Sequence, residues 1–128
     1  MIKADLHTHS YFSDGVLSPI EVVRLACQAK CDLFALTDHD TTDGIAEAQL
    51  EANKLNLNLV NGVEISALWQ NMAIHILGLG IDINNDILQT GLVHNKKLRK
   101  ERSEKIALDL WRSGIKDALE KTQSFSKT

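Results

Sequence analysis

The sequence predicts an α/β fold built on a parallel sheet or barrel, and three observations support this prediction. Apolar runs of strand length alternate with helical patterns that carry capping residues, as expected of repeated βα units. The chain has 128 residues, which is enough for a hydrophobic core. Apolar residues make up 44% of it and charged residues 24%, a composition typical of folded globular domains.

The first βα unit has the clearest boundaries. Residues 2–6 have the length and composition of a short strand. Ser18 can cap a helix, Pro19 suits its first turn, and Glu21 can complete a capping box. The apolar run at 31–36 then predicts a second strand, which we expect to be covered on both faces because its apolar residues do not alternate with polar ones.

The next elements follow the same logic. Thr41 or Thr42 is predicted to cap a second helix, and Asn56 is predicted to end it because asparagine tolerates left-handed backbone. Residues 57–65 and 72–79 predict a third and a fourth strand.

From Asn84 the pattern becomes helical. Residues 86–113 predict one long helix, with Gly114 as the left-handed residue just beyond its end. We therefore expect two parts, with the βα units in residues 1–83 and a helical segment in residues 84–128.

Charge and hydropathy restrict the function classes. The net charge of −3 gives no overall attraction for nucleic acid, so any basic site must be local. No apolar run approaches the ~20 residues of a membrane span. The first residues lack the features of a signal peptide, so a cytoplasmic location is expected. Cys27 and Cys31 lack a second cysteine pair that could complete a zinc site, and we expect two buried thiols.

Side chains that bind metals follow the predicted strands. His7 and His9 are two residues apart, so both imidazoles are expected to project to the same side of a strand end. Gly15 allows a tight turn that brings Asp14 close to them. A mixed set of imidazoles and carboxylates suits divalent zinc, manganese or iron. The candidate ligands are His7, His9, Asp14, His39, Glu64 and His75.

Each candidate also has a plain structural explanation. His75 alone is explained as a hydrogen-bonded core histidine, Asp14 as a turn residue, and Glu64 as a solvated strand end. The recurrence of such residues in successive βα units favours a shared metal site over these separate explanations.

Five short motifs occur in order through about residue 80. They are Leu-His-Thr-His-Ser at 6–10, Ser-Asp-Gly at 13–15, Thr-Asp-His-Asp-Thr at 37–41, Gly-Val-Glu-Ile-Ser at 62–66 and His-Ile-Leu-Gly at 75–78. Together they resemble the PHP (polymerase and histidinol phosphatase) superfamily. Within it, the chain is most similar to enzymes of the RNase AM type, which are 5′→3′ exoribonucleases also described as 3′,5′-nucleoside bisphosphate phosphatases.

The resemblance implies a fold and a metal complement. The fold is the N-terminal part of a distorted (β/α)7 barrel followed by a helical insertion. The complete family fold holds up to three divalent ions, usually manganese. Carried over by motif, the ligand sets are His7 with His9 and Glu64; Asp14 with His39; and Glu64, as a bridge, with His75.

The resemblance also implies an activity, the metal-dependent hydrolysis of phosphate esters in a small nucleotide or a short RNA. Glu64 and Asp40 are then the candidate catalytic residues. Asp38 and Asp40 are candidates for orienting the ligand imidazoles. For Asp40, handling a proton is an alternative that the sequence leaves open.

The predicted long helix carries a basic run at 96–105. Its plain explanation is a solvated helix face with local pairing to glutamates. The resemblance instead places a helical insertion over the barrel mouth. Arg99 and Arg102 thereby become candidates for holding a substrate phosphate, because a guanidinium group can bind phosphate through two hydrogen bonds.

The chain departs from the family pattern after this helix. Such barrels usually run to about 250 residues, and the family's remaining ligands, a histidine and a final Asp-x-His motif, have no match here. Three hypotheses are open: part of a longer active phosphoesterase, a truncated product with weak or no activity, and a non-catalytic metal-binding or assembly module. Open sheet edges favour self-association in the last case.

Overall fold

A computed structural model describes residues 1–125, which form a four-stranded sheet with two helices packed against it and two helices after it. The strands are β1 (Ala4–Thr8), β2 (Leu33–Leu36), β3 (Asn58–Trp69) and β4 (Met72–Leu79). The helices are α1 (Pro19–Gln28), α2 (Ile45–Lys54), α3 (Asp86–Arg112) and α4 (Ala118–Phe125). The strands lie in chain order across the sheet, so the α/β half-barrel predicted from the sequence is confirmed.

The direction of the last strand differs from the prediction. β1, β2 and β3 are parallel, as expected of βα units, but β4 runs antiparallel to β3. The connection explains the change, because only Gln70 and Asn71 join the two strands. Both residues have positive φ angles, 47° and 66°, as in the two-residue turns that favour hairpins. The parallel arrangement therefore holds for three strands and is wrong for the fourth.

The start of α1 is the capping box that the sequence predicts. The Ser18 hydroxyl accepts a hydrogen bond from the Glu21 amide at 3.2 Å, and the Glu21 carboxylate accepts one from the Ser18 amide at 2.8 Å. For α2 the prediction is wrong, because its N-cap is Gly44 and no side chain caps it. Thr41 and Thr42 have other partners: the first accepts from a backbone amide in the same loop and the second from a side chain of α3.

Left-handed residues end three of the helices. Lys30 follows α1 with a φ of 58°, and Asn56 follows α2 with a φ of 54°, as predicted for Asn56. Gly114 follows α3 with a φ of 91°, and the Ile115 amide donates back to the Leu110 carbonyl at 2.9 Å. This is the Schellman arrangement, which satisfies carbonyls at a helix end and turns the chain away.

The core lies between the sheet and the first two helices, and it leaves the opposite face of the sheet available for a site. Its members come from α1, β2, α2 and the residue that leads into β3. They are Val23, Ala26, Phe34, Leu36, Ala48, Ala52 and Leu57.

α3 begins the helical segment, and two of its side chains contact the loop before α2. The Gln89 side chain donates to Thr42 at 2.9 Å, and Lys96 pairs with Asp43 at 2.7 Å. The division at residues 83 and 84 stays a prediction, and residues 126–128 of its second part lie outside the described residues. Among the helices of residues 1–125, none combines the length and the hydropathy that a bilayer span requires.

Candidate metal centre

Glu64 lies at the centre of a cluster of imidazoles. This residue is buried, at 6% exposure, inside β3 rather than at the strand end that the sequence predicts. β2 is the shorter strand, and its parallel pairing is continued past its end by a bridge between His39 and Glu64. The Glu64 carboxylate contacts four imidazoles: His7 at 3.0 Å, His9 at 3.1 Å, His39 at 3.4 Å and His75 at 3.1 Å.

A bulge in β1 orients His7 and His9 towards Glu64. Three residue steps from Asp5 to Thr8 pair with only two steps on β2, so β1 contains one extra residue just where His7 lies. Bulges of this kind redirect side chains at sheet ends. The result is that His7 and His9 both approach the same carboxylate oxygen of Glu64 through their Nε2 atoms.

The loop after β1 is fastened by the buried carboxylate of Asp38. It accepts hydrogen bonds from the Ser10 amide at 2.6 Å, the Ser10 hydroxyl at 2.7 Å and the Ser13 hydroxyl at 2.7 Å. Ser13 in turn lies 3.3 Å from Nδ1 of His9. Asp38 thus acts on the cluster through the loop, because within residues 1–125 its carboxylate accepts hydrogen bonds from these serines rather than from an imidazole.

Gly15 explains how the same loop brings Asp14 into the cluster. A Cβ atom on this residue would lie 2.6 Å from the carbonyl oxygen of His9, so any larger residue would force the backbones apart. The tight approach leaves the Asp14 carboxylate 3.4 Å from Nδ1 of His9 and 3.6 Å from Nε2 of His39.

Because β4 runs antiparallel to β3, it places His75 beside Glu64. His75 is the register partner of Ser66, and Leu77 is the partner of Glu64. Because side chains two residues apart in a strand share a face, Glu64, Ser66 and His75 all lie on one face of the hairpin. Nδ1 of His75 lies 3.1 Å from the second carboxylate oxygen of Glu64.

The six predicted ligands therefore form three overlapping groups, each with its donor atoms within 4.8 Å of one another. The exposed His94 of α3 belongs to none of the three groups found within residues 1–125. The groups are His7 with His9 and Glu64; His9 with Asp14 and His39; and His39 with Glu64 and His75.

The chemistry of this donor set fits a divalent cation. Nδ1 of His39 is buried and lies 3.4 Å from the Glu64 carboxylate, but it makes no hydrogen bond in residues 1–125, which is costly unless another group satisfies it. Burial lowers the pKa of His39 below its ordinary value, although the carboxylates of Glu64 and Asp14 oppose the shift. Neutral imidazole is the form that binds metals.

The shared carboxylate is held in its charged form. Burial alone raises the pKa of Glu64, but the hydrogen bond from His7 and the electrostatic interaction with the neighbouring imidazoles outweigh it, and the pKa lies below its ordinary value. An ionised carboxylate among imidazoles is a suitable ligand set for zinc, manganese or iron(II).

Asp40, a candidate for orienting an imidazole or handling a proton, lies beside the cluster with different partners. Its carboxylate is fully buried and accepts hydrogen bonds from Ser66, Asn95 and Arg99. Within residues 1–125 it makes no hydrogen bond to an imidazole. Both predicted roles stay predictions.

The two candidate phosphate-binding arginines differ in their surroundings. Arg99 places one guanidinium nitrogen 3.2 Å from Asp40 and 3.4 Å from the Ser66 hydroxyl. Arg102 is exposed, three residues further along α3, and makes no ion pair within residues 1–125.

Four polar residues around the site were not predicted from the sequence: Ser10, Ser13, Ser66 and Asn95. Ser13 belongs to the Ser-Asp-Gly motif, and Asn95 lies four residues before Arg99, which places both side chains on one face of α3. These spacings are weak signals, because each of the four residues is at least 25 residues away in the chain from the aspartate that it contacts.

This half-barrel with converging histidines and carboxylates defines a member of the PHP domain family. The family pattern matches residues 5–123, so the chain belongs to this family, which contains metal-dependent phosphoesterases, and the predicted resemblance is confirmed. The chain is 42% identical over 125 residues to the 5′-3′ exoribonuclease Rnm of Escherichia coli, covering 96% of this chain and 43% of that protein.

Two further relatives come from Chromobacterium violaceum. One is a 3′,5′-nucleoside bisphosphate phosphatase, 43% identical over 115 residues that cover 90% of this chain and 40% of that protein. The other is the solved structure of an amidohydrolase with bound sulfate and no metal, which matches with a TM-score of 0.94 and 38% identity over 98% of this chain and 44% of that one. The chain thus spans less than half the length of these relatives.

Proposed function

We propose that this chain takes part in the metal-dependent hydrolysis of phosphate esters. The observation that carries the proposal is the convergence of four imidazoles on the buried carboxylate of Glu64, with the Asp14 carboxylate beside two of them. Nδ1 of His39 lies within this cluster and makes no hydrogen bond in residues 1–125, which supports a cation there because a bound cation would satisfy this buried nitrogen.

The residues of the three groups would hold up to three cations, with Glu64 shared between two of the groups. Manganese is our first candidate, followed by zinc and iron(II), because this donor set accommodates all three metals. Divalent cations bound there would lower the pKa of water and neutralise negative charge on a phosphoryl group. We infer that Glu64 is the residue on which both effects depend.

For the substrate we propose a small nucleotide with two phosphates, or the end of a short RNA. The support comes from the two curated relatives, which are a 3′,5′-nucleoside bisphosphate phosphatase and a 5′-3′ exoribonuclease. Arg99 and Arg102 of α3 are the proposed phosphate-binding residues. Arg99 is the better placed of the two, since it already contacts residues next to His39 and opposite His75.

Phosphate release from 3′-phosphoadenosine 5′-phosphate, measured with and without Mn²⁺, tests this proposal. A short 5′-phosphorylated RNA, followed by gel electrophoresis, tests the exoribonuclease alternative. We expect manganese-dependent turnover by the wild-type chain and at least about a hundredfold loss in Glu64→Ala, because changes even beside a metal ligand cost about 10- to 100-fold and this variant removes a ligand that two groups share.

Two histidine variants provide a matched comparison. His75→Ala removes a ligand candidate, whereas His94→Ala removes an exposed imidazole outside the cluster. His75→Ala should lose activity and His94→Ala should keep it. Turnover that is equal in wild type and Glu64→Ala would show that this chain does not catalyse the reaction.

A second function, a metal-binding module that works through assembly, is favoured by the free edge of the sheet. β4 is the last strand, and its side chains are exposed on both faces over most of its length. Trp69, Met72 and Ile76 are 61%, 59% and 50% exposed on one face. An open, apolar edge strand can pair with another chain.

Light scattering on the purified chain distinguishes this second function from the first. Self-association is expected if β4 completes its sheet with another copy, and Met72→Lys should then shift the population towards monomer. A monomer with full manganese-dependent turnover would exclude the assembly function.

A further inference from the structure

Asp40 combines three features that the proposed reaction does not yet use. Its side chain is completely buried, it follows His39 directly, and its backbone has a φ of 53°. Non-glycine residues adopt this left-handed conformation rarely, and it persists only where the surrounding contacts enforce it.

The carboxylate of Asp40 joins two elements that are distant in the chain. From β3, the Ser66 amide donates to it at 2.8 Å and the Ser66 hydroxyl at 2.6 Å. From α3, the Asn95 amide group donates at 2.9 Å and the Arg99 guanidinium at 3.2 Å. Burial raises the pKa of Asp40, but these hydrogen bonds, led by those of Ser66, lower it below the ordinary value, so the group is charged.

The position of this contact links α3 to the metal centre. The Asp40 amide donates to the Glu64 carbonyl at 2.9 Å, and Ser66 shares the face of Glu64 and lies opposite His75. Arg99 reaches both Asp40 and Ser66 with the same nitrogen, Nη1. Its Nη2 and Nε atoms have no partner within residues 1–125, and they remain available for hydrogen bonds to an anion.

We propose that Asp40 is a positioning residue, which holds Arg99 beside the metal centre so that the free guanidinium nitrogens can bind a phosphate. This inference rests on the proposed function, which supplies the phosphate. It assigns Asp40 a task different from orienting an imidazole or carrying a proton. Asp40 acts through Arg99, so removing either residue should impair the same binding step.

Calorimetric titration of inorganic phosphate into the Mn²⁺-loaded chain tests the coupling. Asp40→Asn, which keeps the shape but removes the charge, should weaken phosphate binding about tenfold, as expected for loss of a charge-assisted contact. Arg99→Gln should weaken it by at least as much. The double variant should bind no more weakly than Arg99→Gln alone, because residues that act as one unit are not additive.

Asp43→Asn is the matched control. Asp43 lies in the same loop and also pairs with α3, through Lys96, but both side chains of that pair are exposed. The same substitution there should change phosphate binding by about twofold at most, as is typical of exposed ion pairs. The proposal is overturned if Asp40→Asn behaves like Asp43→Asn, or if the effects of Asp40→Asn and Arg99→Gln multiply in the double variant.

Amide hydrogen exchange without metal separates this inference from the proposed function. If the wild-type chain binds no Mn²⁺, the proposed function fails. The exchange rates, measured without metal, then still test whether Asp40 anchors α3. Asp40→Asn should speed exchange of the α3 amides at residues 91–99 about tenfold relative to wild type and Asp43→Asn, because it removes the buried anchor of that segment. Unchanged exchange would overturn the inference.

Discussion

Replacing Glu64 with glutamine should remove most of the stability that divalent cations give to this fold. Glu64 supplies donors to two of the three groups in the cluster, so the variant leaves only His9, Asp14 and His39 with a complete set. Glutamine has nearly the same shape but is neutral, and its amide group presents hydrogen-bond donors where the carboxylate presents lone pairs. Both groups therefore lose a negative charge, and one of them also loses its oxygen ligand, because the amide keeps a single oxygen.

The size of the effect follows from linkage between binding and folding. A cation present at one hundred times its Kd stabilises the folded state by about 2.7 kcal/mol for each site. For a domain of this length, 1 kcal/mol corresponds to roughly 3–5 °C in Tm. Wild type should therefore gain roughly 10 °C for each occupied site, and Glu64→Gln should lose this gain at the two sites that share the carboxylate.

Thermal unfolding followed by circular dichroism, with Mn²⁺ and after chelation, measures this gain. Glu51→Gln is the control, because Glu51 is similarly buried, at 4% exposure against 6% for Glu64, and pairs with Arg24 and Lys54 instead of the cluster. The control should lower the Tm in both conditions and keep the metal-dependent gain. An equal gain in Glu64→Gln and wild type would refute the role given to Glu64.

Three further predictions concern the surrounding structure. Ser18→Ala removes the capping box of α1 and should lower the free energy of unfolding by about 1 kcal/mol in urea titrations; no change would contradict the cap. Gly15→Ala forces its new Cβ atom against the His9 carbonyl and should cost about 1–3 kcal/mol while reducing the Mn²⁺-dependent gain in Tm, and an undiminished gain would show that the loop can yield. The hydrogen bond from Arg24 holds the pKa of Glu51 below its ordinary value, so its contribution is complete above the unfolded pKa of about 4.3 and is lost as the pH falls through the folded value. The urea midpoints of wild type and Glu51→Gln should therefore converge below about pH 4, and a constant difference between pH 3 and pH 6 would exclude this linkage.

Local chemistry in the sequence was enough to predict the helix boundaries that depend on neighbouring residues. The capping box at Ser18, the left-handed Asn56 and the glycine after α3 all act within a few residues of the chain, and all three predictions are confirmed. The cap predicted at Thr41 or Thr42 is wrong because Thr42 bonds instead to Gln89 of α3, a partner 47 residues away. A short segment of sequence does not show which distant residue will compete for a capping side chain.

The candidate site shows the same division. The residue types and their recurrence after each strand were enough to predict that six side chains would meet. The antiparallel return of β4 was not predicted, because its cause is a two-residue turn at Gln70 and Asn71 whose chemistry is less distinctive than an Asn-Gly pair. The partners of Asp38 and Asp40 were also not predicted. The two aspartates are two residues apart in one motif, but in the fold Asp38 binds the loop after β1 and Asp40 binds β3 and α3.

The place of Glu64 inside a strand has a consequence for how ions enter and leave. Its amide bonds to the Asp38 carbonyl on one side, its carbonyl accepts from the Asp40 amide, and β4 flanks the opposite side of β3. The backbone of Glu64 therefore cannot shift without breaking these hydrogen bonds. The most exposed side chains of the cluster are Asp14, His7 and His75, at 61%, 54% and 47%, so we expect a cation to enter and leave past these three residues.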